Sequence, residues 1–146
     1  MCLARLLENQ NLFITTSAPN IALECAKNQN ATINLIGGRL NRENISLSGI
    51  NALSFLDNIN IDIAFMAASG FSFKNGFTAG DYDECEIKKR VISKANKTFV
   101  IIDGSKFGKS LPFTFAGLDD IDLLISDNSI SLETVNAINK KSRKII

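Results

Sequence analysis

The segment "IDIAFMAASGFSFKNGFTAGDYDECEIKKRVISKANKTFVIID" at residues 61–103 contains a strand–helix–strand unit, and this unit decides the fold class. "IDIAFMAA" at 61–68 is an almost continuous apolar run, which predicts a strand with both faces buried. "DYDECEIKKRVISKA" at 81–95 predicts a helix, because acidic residues in its first turn and basic residues later match the helix dipole. "KTFVIID" at 97–103 predicts the second strand, and residues 69–80 between them are predicted to form a glycine-rich loop.

The same alternation of strands and helices continues on both sides of this unit. It predicts one α/β domain, a three-layer arrangement with a mostly parallel sheet and helices on both faces. Further strands are predicted at 12–15, 32–36, 45–49, 121–127 and 143–146. Further helices are predicted at 1–9, from a cap at Ser17 with Pro19 in the first turn, around 52–56 and at 131–141. Residues 104–118 are predicted to be irregular, with an extended piece at "PFTF".

Ligands of such sheets bind beyond the carboxyl ends of the strands, so the topology indicates a site before any motif does. Five segments follow directly after predicted strands. They are Thr15–Ser17, Gly37–Arg39, Ser69–Gly80, Asp103–Lys109 and Asp127–Ser129.

Composition excludes several classes of function. The 16 basic and 15 acidic residues leave a net charge of +1, which argues against a surface devoted to nucleic acid. The chain has no histidine, so histidine triads and histidine metal ligands are excluded, and we predict no metal and no cofactor. The three cysteines have no CxxC spacing and no membrane-length or signal segment occurs, which predicts a cytoplasmic protein with reduced thiols and no membrane partner.

The stretch "VIIDGSKFGKS" at 100–110 resembles a nucleotide-binding P-loop at first sight. A P-loop needs four residues between its glycines, but only three separate Gly104 from Gly108. It must also run into a helix that faces the phosphates, and the following "LPFTF" does not open one. We therefore predict no NTPase, although Lys106 at a strand end is placed to reach a ligand phosphate.

Two other strand-end loops are rich in glycine, "IGGR" at 36–39 and "ASGFSFKNGFT" at 68–78. Glycine lets backbone N–H groups approach a ligand closely. Together with Lys106, these loops predict a pocket for a polyol or a phosphate. The alternative is that they are ordinary turns with a solvated lysine.

The order "LFITTS … INLIGGRL … SLSG … DIAFMAASGF … NGFTAGDYDECEIKKRVI … VIIDGSKFG … DIDLLISD" resembles the C-terminal effector domain of DeoR-type transcriptional repressors. The resemblance runs from Met1 to about Asp127. "DGSKFG" is similar to the family's Asp-Ser-Ser-Lys-Phe-Gly segment, with Gly104 in place of the first Ser. The resemblance implies a fold akin to ribose-5-phosphate isomerase and an effector that is a phosphorylated sugar.

The family's motifs also imply which residues bind the ligand. They cover its Thr-Asn-Ser turn, its Gly-Gly-x turn, its Gly-Ala-Asp-Gly and Gly-Leu-Thr segments, the following helix and the strand-end lysine. The matching positions here are Thr16, Ser17, Gly37, Gly38, Arg39, Gly70, Gly76, Phe77, Thr78, Asp81, Glu84, Lys88 and Lys106.

Each polar member of this set has a chemical role and a structural alternative. Lys106 and Arg39 offer positive charge to a phosphate or a hydroxyl, and Asp81 and Glu84 accept hydrogen bonds from hydroxyls. Alternatively, Asp81 only caps the helix, and Glu84 with Lys88 forms an i,i+4 pair worth ~0.3 kcal/mol. Phe113 and Phe115 are a further ambiguity, because they suit either the core or a subunit contact, and we predict the core.

Three departures from the family pattern shape the expected function. Ser69 stands where the family loop usually has Asp, and the isomerase relatives use an acidic loop there for catalysis, so we predict no enzyme. Nothing resembles the winged helix-turn-helix of such repressors, so DNA is expected to be bound only through a missing N-terminal domain. A strand and a phosphate loop of the family are expected upstream of Met1, so the sheet is expected to lack its first strand.

Three hypotheses follow. The first is an effector-sensing domain over residues 1–146 that binds a phosphorylated sugar, forms a homo-oligomer and thereby controls the DNA-binding domains. The second is a sugar-phosphate isomerase, in which Glu84 is a lone base and Lys106 a polarising cation. The third is a fragment that dimerises and binds no metabolite.

Overall fold

The computed structural model describes residues 2–7, 10–140 and 144–146, and it confirms the α/β class. The chain divides into two compact units, Met1–Phe55 and Leu56–Ile146, and each is described by itself. No helix of the described residues is long and apolar enough to cross a membrane.

The first unit contains two small sheets. Its elements are α1 (Cys2–Arg5), β1 (Phe13–Thr16), α2 (Pro19–Cys25), β2 (Thr32–Leu35), β3 (Arg39–Asn41), β4 (Ser46–Ser48) and α3 (Ile50–Asp57), which continues past the unit boundary. β1 and β2 pair in parallel, whereas β3 and β4 form an antiparallel hairpin. The strand β3 was not predicted, because three residues are too few to carry an alternating pattern.

The start of α2 differs from the prediction. The predicted cap at Ser17 is wrong, because Ala18 is the residue before the helix and no side chain caps it. The Thr16 hydroxyl accepts a hydrogen bond from the Ala18 N–H at 3.1 Å instead. Pro19 does begin the helix as predicted, where its missing N–H costs nothing.

The turn between β3 and β4 holds a strained residue. Ile45 has a φ of +51°, and it is the one non-glycine residue with positive φ in the described part of the chain. A side chain branched at Cβ is disfavoured there, because Cβ crowds the following carbonyl oxygen. The side chain is 47% exposed, so it gains little burial in return.

We expect Ile45→Asn to stabilise the chain by about 1 kcal/mol, because asparagine tolerates this conformation. Denaturant unfolding followed by circular dichroism measures the change. Ile45→Val is the matched control, because it keeps the branched Cβ and should gain nothing. Equal stability of the asparagine and valine variants would contradict the assignment of strain.

The second unit is built on a four-stranded parallel sheet in the order β11-β10-β8-β5. Its strands and helices are β5 (Ile61–Ala67), β6 (Gly70–Ser72), β7 (Gly76–Ala79), α4 (Tyr82–Lys94), β8 (Ala95–Ile101), β9 (Phe113–Ala116), β10 (Leu123–Ile125), α5 (Leu132–Lys140) and β11 (Lys144–Ile145), with short 3-10 turns at Gly104–Lys106 and Leu118–Asp120. The last helix was predicted to end at Lys141 and the last strand to begin at Arg143, and both residues lie outside the described ones.

The core of this unit lies on one face of the parallel sheet. Ala64, Met66, Val100 and Leu124 are buried there together with Ile138 of α5. The prediction that both faces of β5 are buried is wrong, because Ile63 and Phe65 are 47% and 44% exposed. Alternate residues of a strand point to opposite faces, and the core cluster of the unit contains Ala64 and Met66 but neither Ile63 nor Phe65.

The predicted glycine-rich loop at 69–80 is a hairpin. Its strands β6 and β7 pair with each other, and β9 pairs with β7 to complete a three-stranded antiparallel sheet. The rings of Phe71 and Phe77 lie 4.6 Å apart and are fully buried, so burial overrides the turn propensity of the glycines. Phe115 of β9 is also buried, and this confirms its predicted place in the core.

Gly76 enters β7 with a φ of +68°, and a Cβ atom there would overlap the Ala116 carbonyl oxygen. We therefore expect Gly76→Ala to destabilise the chain by about 3 kcal/mol, which combines the conformational and the steric cost. Gly108→Ala is the matched control, because Gly108 has a φ of +75° but open space around it. It should cost only about 1 kcal/mol. Equal losses in denaturant unfolding would show that contact with Ala116 is unimportant.

Candidate functional site

A partly buried ion pair lies at the carboxyl end of β5. The Lys88 ammonium lies 2.5 Å from Glu84 Oε1, and the two side chains are only 12% and 19% exposed. The same ammonium donates a hydrogen bond to the Ala67 carbonyl oxygen at 2.8 Å and lies 5.0 Å above the Phe115 ring. Lys88 therefore ties α4 to both β5 and β9, and the predicted i,i+4 pair is confirmed.

The first turn of α4 sets the position of this pair. Asp81 precedes the helix, and its Oδ1 accepts a hydrogen bond from the Glu84 N–H at 2.8 Å. This confirms the capping interpretation of Asp81. A cap that binds the backbone of Glu84 fixes where the Glu84 side chain leaves the helix. A ligand contact by Asp81 stays a prediction.

The same helix carries a second pair for comparison, Lys89 and Glu86, at 2.9 Å and with side chains 49% and 33% exposed. We expect a double-mutant cycle of Glu84→Gln and Lys88→Met to give a coupling energy of about 1 kcal/mol. The matched cycle of Glu86→Gln and Lys89→Met should give ~0.3 kcal/mol, because solvent screens that pair. Equal coupling would show that the Lys88 pair is an ordinary surface contact.

The predicted ligand residues of the hairpin are packed into the structure. The Thr78 hydroxyl is fully buried, donates to the Gly70 carbonyl at 3.2 Å and accepts from the Leu111 N–H at 3.0 Å. Phe77 is fully buried, and a Cβ atom at Gly70 would overlap the Lys109 carbonyl oxygen. These residues hold the hairpin against the segment before β9, and their contact with a ligand stays a prediction.

Lys106 ends a 3-10 turn that follows β8. The next residue, Phe107, is extended and no helix follows, which confirms that this stretch is not a P-loop. Asp103 precedes the turn and accepts hydrogen bonds from the Ser105 N–H and hydroxyl. The Ser105 hydroxyl, and to a smaller extent the charge of Lys106, lowers the pKa of Asp103. No hydrogen-bond acceptor for the Lys106 ammonium occurs within the described residues, so its charge is available to a ligand.

Asp127 follows β10 and bonds to the loop that carries Lys106. Its Oδ1 accepts hydrogen bonds from the N–H groups of Gly104 at 3.2 Å and Ser129 at 3.0 Å, and from the Ser129 hydroxyl at 2.5 Å. The Ser129 hydroxyl is the main cause of a lowered pKa of Asp127. Sequence reasoning did not name Asp127 as a site residue, and its position directly after a strand was the only signal.

A cleft of about 340 Å³ lies at the turn of the β6–β7 hairpin. Lys74 and Asn75 line it together with Gly76, the one member of the predicted set among its lining residues. The Asn75 amide donates to the Ser110 hydroxyl at 3.0 Å. Lys74 is thus a second cation of this unit to compare with Lys106.

The remaining predicted residues lie in the first unit, after β1 and β2. The Thr16 carbonyl accepts from Ile36 N–H at 2.9 Å, so Thr16 and the Gly37–Gly38 turn lie at the same end of this parallel pair. The Ser17 carbonyl accepts from Leu47 N–H at 2.7 Å. A Cβ atom at Gly38 would overlap the Ser48 carbonyl oxygen, so the hairpin requires that glycine, and the exposed Arg39 begins β3.

Comparison with known proteins identifies relatives of this chain. A family model described as the DeoR C terminal sensor domain matches residues 1–128. The HTH-type transcriptional regulator IolR of Bacillus subtilis is 32% identical over 131 residues, which cover 90% of this chain and 52% of the relative. GolR of Listeria innocua is 32% identical over 82% of this chain and 47% of its own length, and GlpR of Haloferax volcanii is 30% identical over 90% and 51%. The chain therefore spans about half the length of the curated relatives it matches.

Proposed function

The chain belongs to the family of DeoR C-terminal sensor domains, and we propose that its ligand is a phosphorylated sugar. The observation that carries this proposal is the position of the Lys88–Glu84 pair of α4 at the carboxyl end of β5 and of Lys106 after the neighbouring parallel strand β8. Ligands bind at this edge of parallel sheets, and the three side chains supply the chemistry that a sugar phosphate needs.

The two lysines suit different parts of such a ligand. An ammonium group has three donors, and Lys88 uses two of them on Glu84 and the Ala67 carbonyl, so the third is available for a hydroxyl or carbonyl oxygen of the sugar. The Glu84 carboxylate offers about four lone-pair sites, which suffice to hold Lys88 and accept from a sugar hydroxyl. Within the described part of the chain the Lys106 ammonium has no such hydrogen-bond acceptor, and it suits the phosphate, which it binds as a point charge.

The signal passes from the ligand to DNA through the full-length regulator. A ligand shifts a conformational equilibrium only as far as it binds one state better than the other. The matched relatives are named as HTH-type transcriptional regulators, and we place the DNA-binding function of this protein in a helix-turn-helix domain outside the 146 residues. We propose that a homo-oligomer couples the two domains. We place the protein in the cytoplasm, where such metabolites occur.

A thermal-shift screen of the 146-residue chain tests the ligand class. The panel holds phosphorylated sugars, the same sugars without phosphate, inorganic phosphate and ATP. A ligand that binds the folded state raises the melting temperature, because it adds RT ln(1 + [L]/Kd) to the stability. A selective rise with one sugar phosphate supports the proposal. A flat panel contradicts it for this chain, and turnover of a pentose phosphate would favour the isomerase instead.

Lys106→Gln should weaken the binding of the sugar phosphate that the screen selects by about 10- to 100-fold, because it removes a charge-assisted hydrogen bond worth about 1.5–3 kcal/mol. Isothermal titration calorimetry measures the change. Lys74→Gln is the matched control, because it removes the same charge from the cleft at the hairpin turn of the same unit. A larger loss with Lys74→Gln than with Lys106→Gln would place the phosphate in that cleft.

A further inference from the structure

The loops that follow β8 and β10 are bonded to each other. Ile101 and Ile125 are neighbours at the ends of these parallel strands, and Ile102 N–H donates to the Ile125 carbonyl at 3.0 Å. One residue beyond Asp103, the Gly104 N–H donates to Asp127 Oδ1 at 3.2 Å. This bond joins the first residue of the turn that carries Lys106 to the neighbouring strand end.

Two observations distinguish this contact from an ordinary turn. Among the described residues, the Asp103 carboxylate bonds only within its own loop, to Ser105, whereas the Asp127 carboxylate bonds across 23 positions of sequence. The approach is also close, because a Cβ atom at Gly104 would overlap the Ser129 hydroxyl. The lowered pKa of Asp127 agrees with a carboxylate that is held by several donors.

We propose that Asp127 is a positioning residue that holds the loop of Lys106 in the conformation that binds the ligand anion. The proposal rests on the proposed function. The Lys106 N–H bonds to the Asp103 carbonyl at 3.0 Å, so the turn is a short rigid unit, and a bond at Gly104 fixes its orientation on the sheet. Because the Lys106 ammonium has no acceptor among the described residues, the backbone has to do the orienting.

Gly104 contributes to the same contact between the two loops. The similar family segment has serine at this position, and a serine Cβ would overlap Ser129 in this structure. Glycine therefore permits a closer approach of the two loops than serine does. The matched region of the family ends at residue 128, so the contact with Ser129 lies at the border of what the family shares.

Limited proteolysis of the unliganded chain tests the hold on the loop, because trypsin cleaves after Lys106 only when the loop opens. Mass spectrometry measures cleavage at Lys106–Phe107 for the wild type and three variants. We expect Asp127→Ala to raise the rate several-fold. Asp127→Asn should restore most of the protection, because its amide oxygen still accepts from Gly104. Asp120→Ala is the matched control, because it removes a carboxylate that accepts from the Gly117 N–H at 2.6 Å in another turn.

Calorimetric titration with the sugar phosphate from the screen provides the second readout, with inorganic phosphate as the probe when no sugar phosphate binds. Asp127→Ala should weaken binding about fivefold to tenfold without changing the melting temperature of the unliganded chain. Asp127→Asn should weaken binding less. The proposal is overturned if trypsin cleaves the Asp127→Ala variant after Lys106 at the same rate as the Asp120→Ala variant. A wild type that binds neither probe contradicts the proposed function, and the cleavage rates then still decide whether Asp127 holds the loop.

Discussion

The parallel pairing of β5 with β8 is the constraint on which the second unit depends. Parallel neighbours need a long crossover, and here that crossover contains the β6–β7 hairpin and α4. Because α4 lies in this crossover, Lys88 is placed at the carboxyl end of β5, where its ammonium donates to the Ala67 carbonyl. The Lys88 side chain is only 12% exposed, and its ammonium must keep its hydrogen bonds, since burying an unpaired charge is costly. Glu84 and Phe115 complete its surroundings, so the pair is as much a result of the topology as of the helix.

The roles that we propose for Lys88 and Lys106 fit a sensor. A sensor needs a site that is ordered before the ligand arrives, because the cost of ordering side chains is taken from the binding energy. Lys88 is ordered by three contacts, and we propose that Lys106 is ordered through its backbone by the bond between Gly104 and Asp127. An isomerase would need a base within reach of a C–H group of the substrate. Glu84 is paired with Lys88 at 2.5 Å, and we propose that it binds a hydroxyl of the ligand and does not act as a base.

Sequence reasoning found the elements whose pattern is local and missed the contacts that are not. β5, α4 and β8 were predictable, because an apolar run and a graded helix each fit within 15 residues. The hairpin was missed, since glycines at 70 and 76 indicate turns while the burial of Phe71 and Phe77 depends on tertiary packing. The Glu84–Lys88 pair was predictable from its spacing, but its contacts with Ala67 and Phe115 join residues 21 and 27 positions away from Lys88. The sequence placed Asp127 in a segment that follows a strand, but its bond to Gly104, 23 positions away, was missed for the same reason.

The hydroxyl bonds to Asp103 and Asp127 have a consequence for how the protein responds to acidity. Both carboxyl pKa values are lowered, burial raises the pKa of the Cys25 and Cys85 thiols, and the chain contains no histidine. All of these groups therefore titrate further from neutrality than they would in an unfolded chain. A phosphate monoester, in contrast, has a second pKa near 6. The proposed sugar phosphate would therefore change its charge closer to neutrality than these four groups of the chain do.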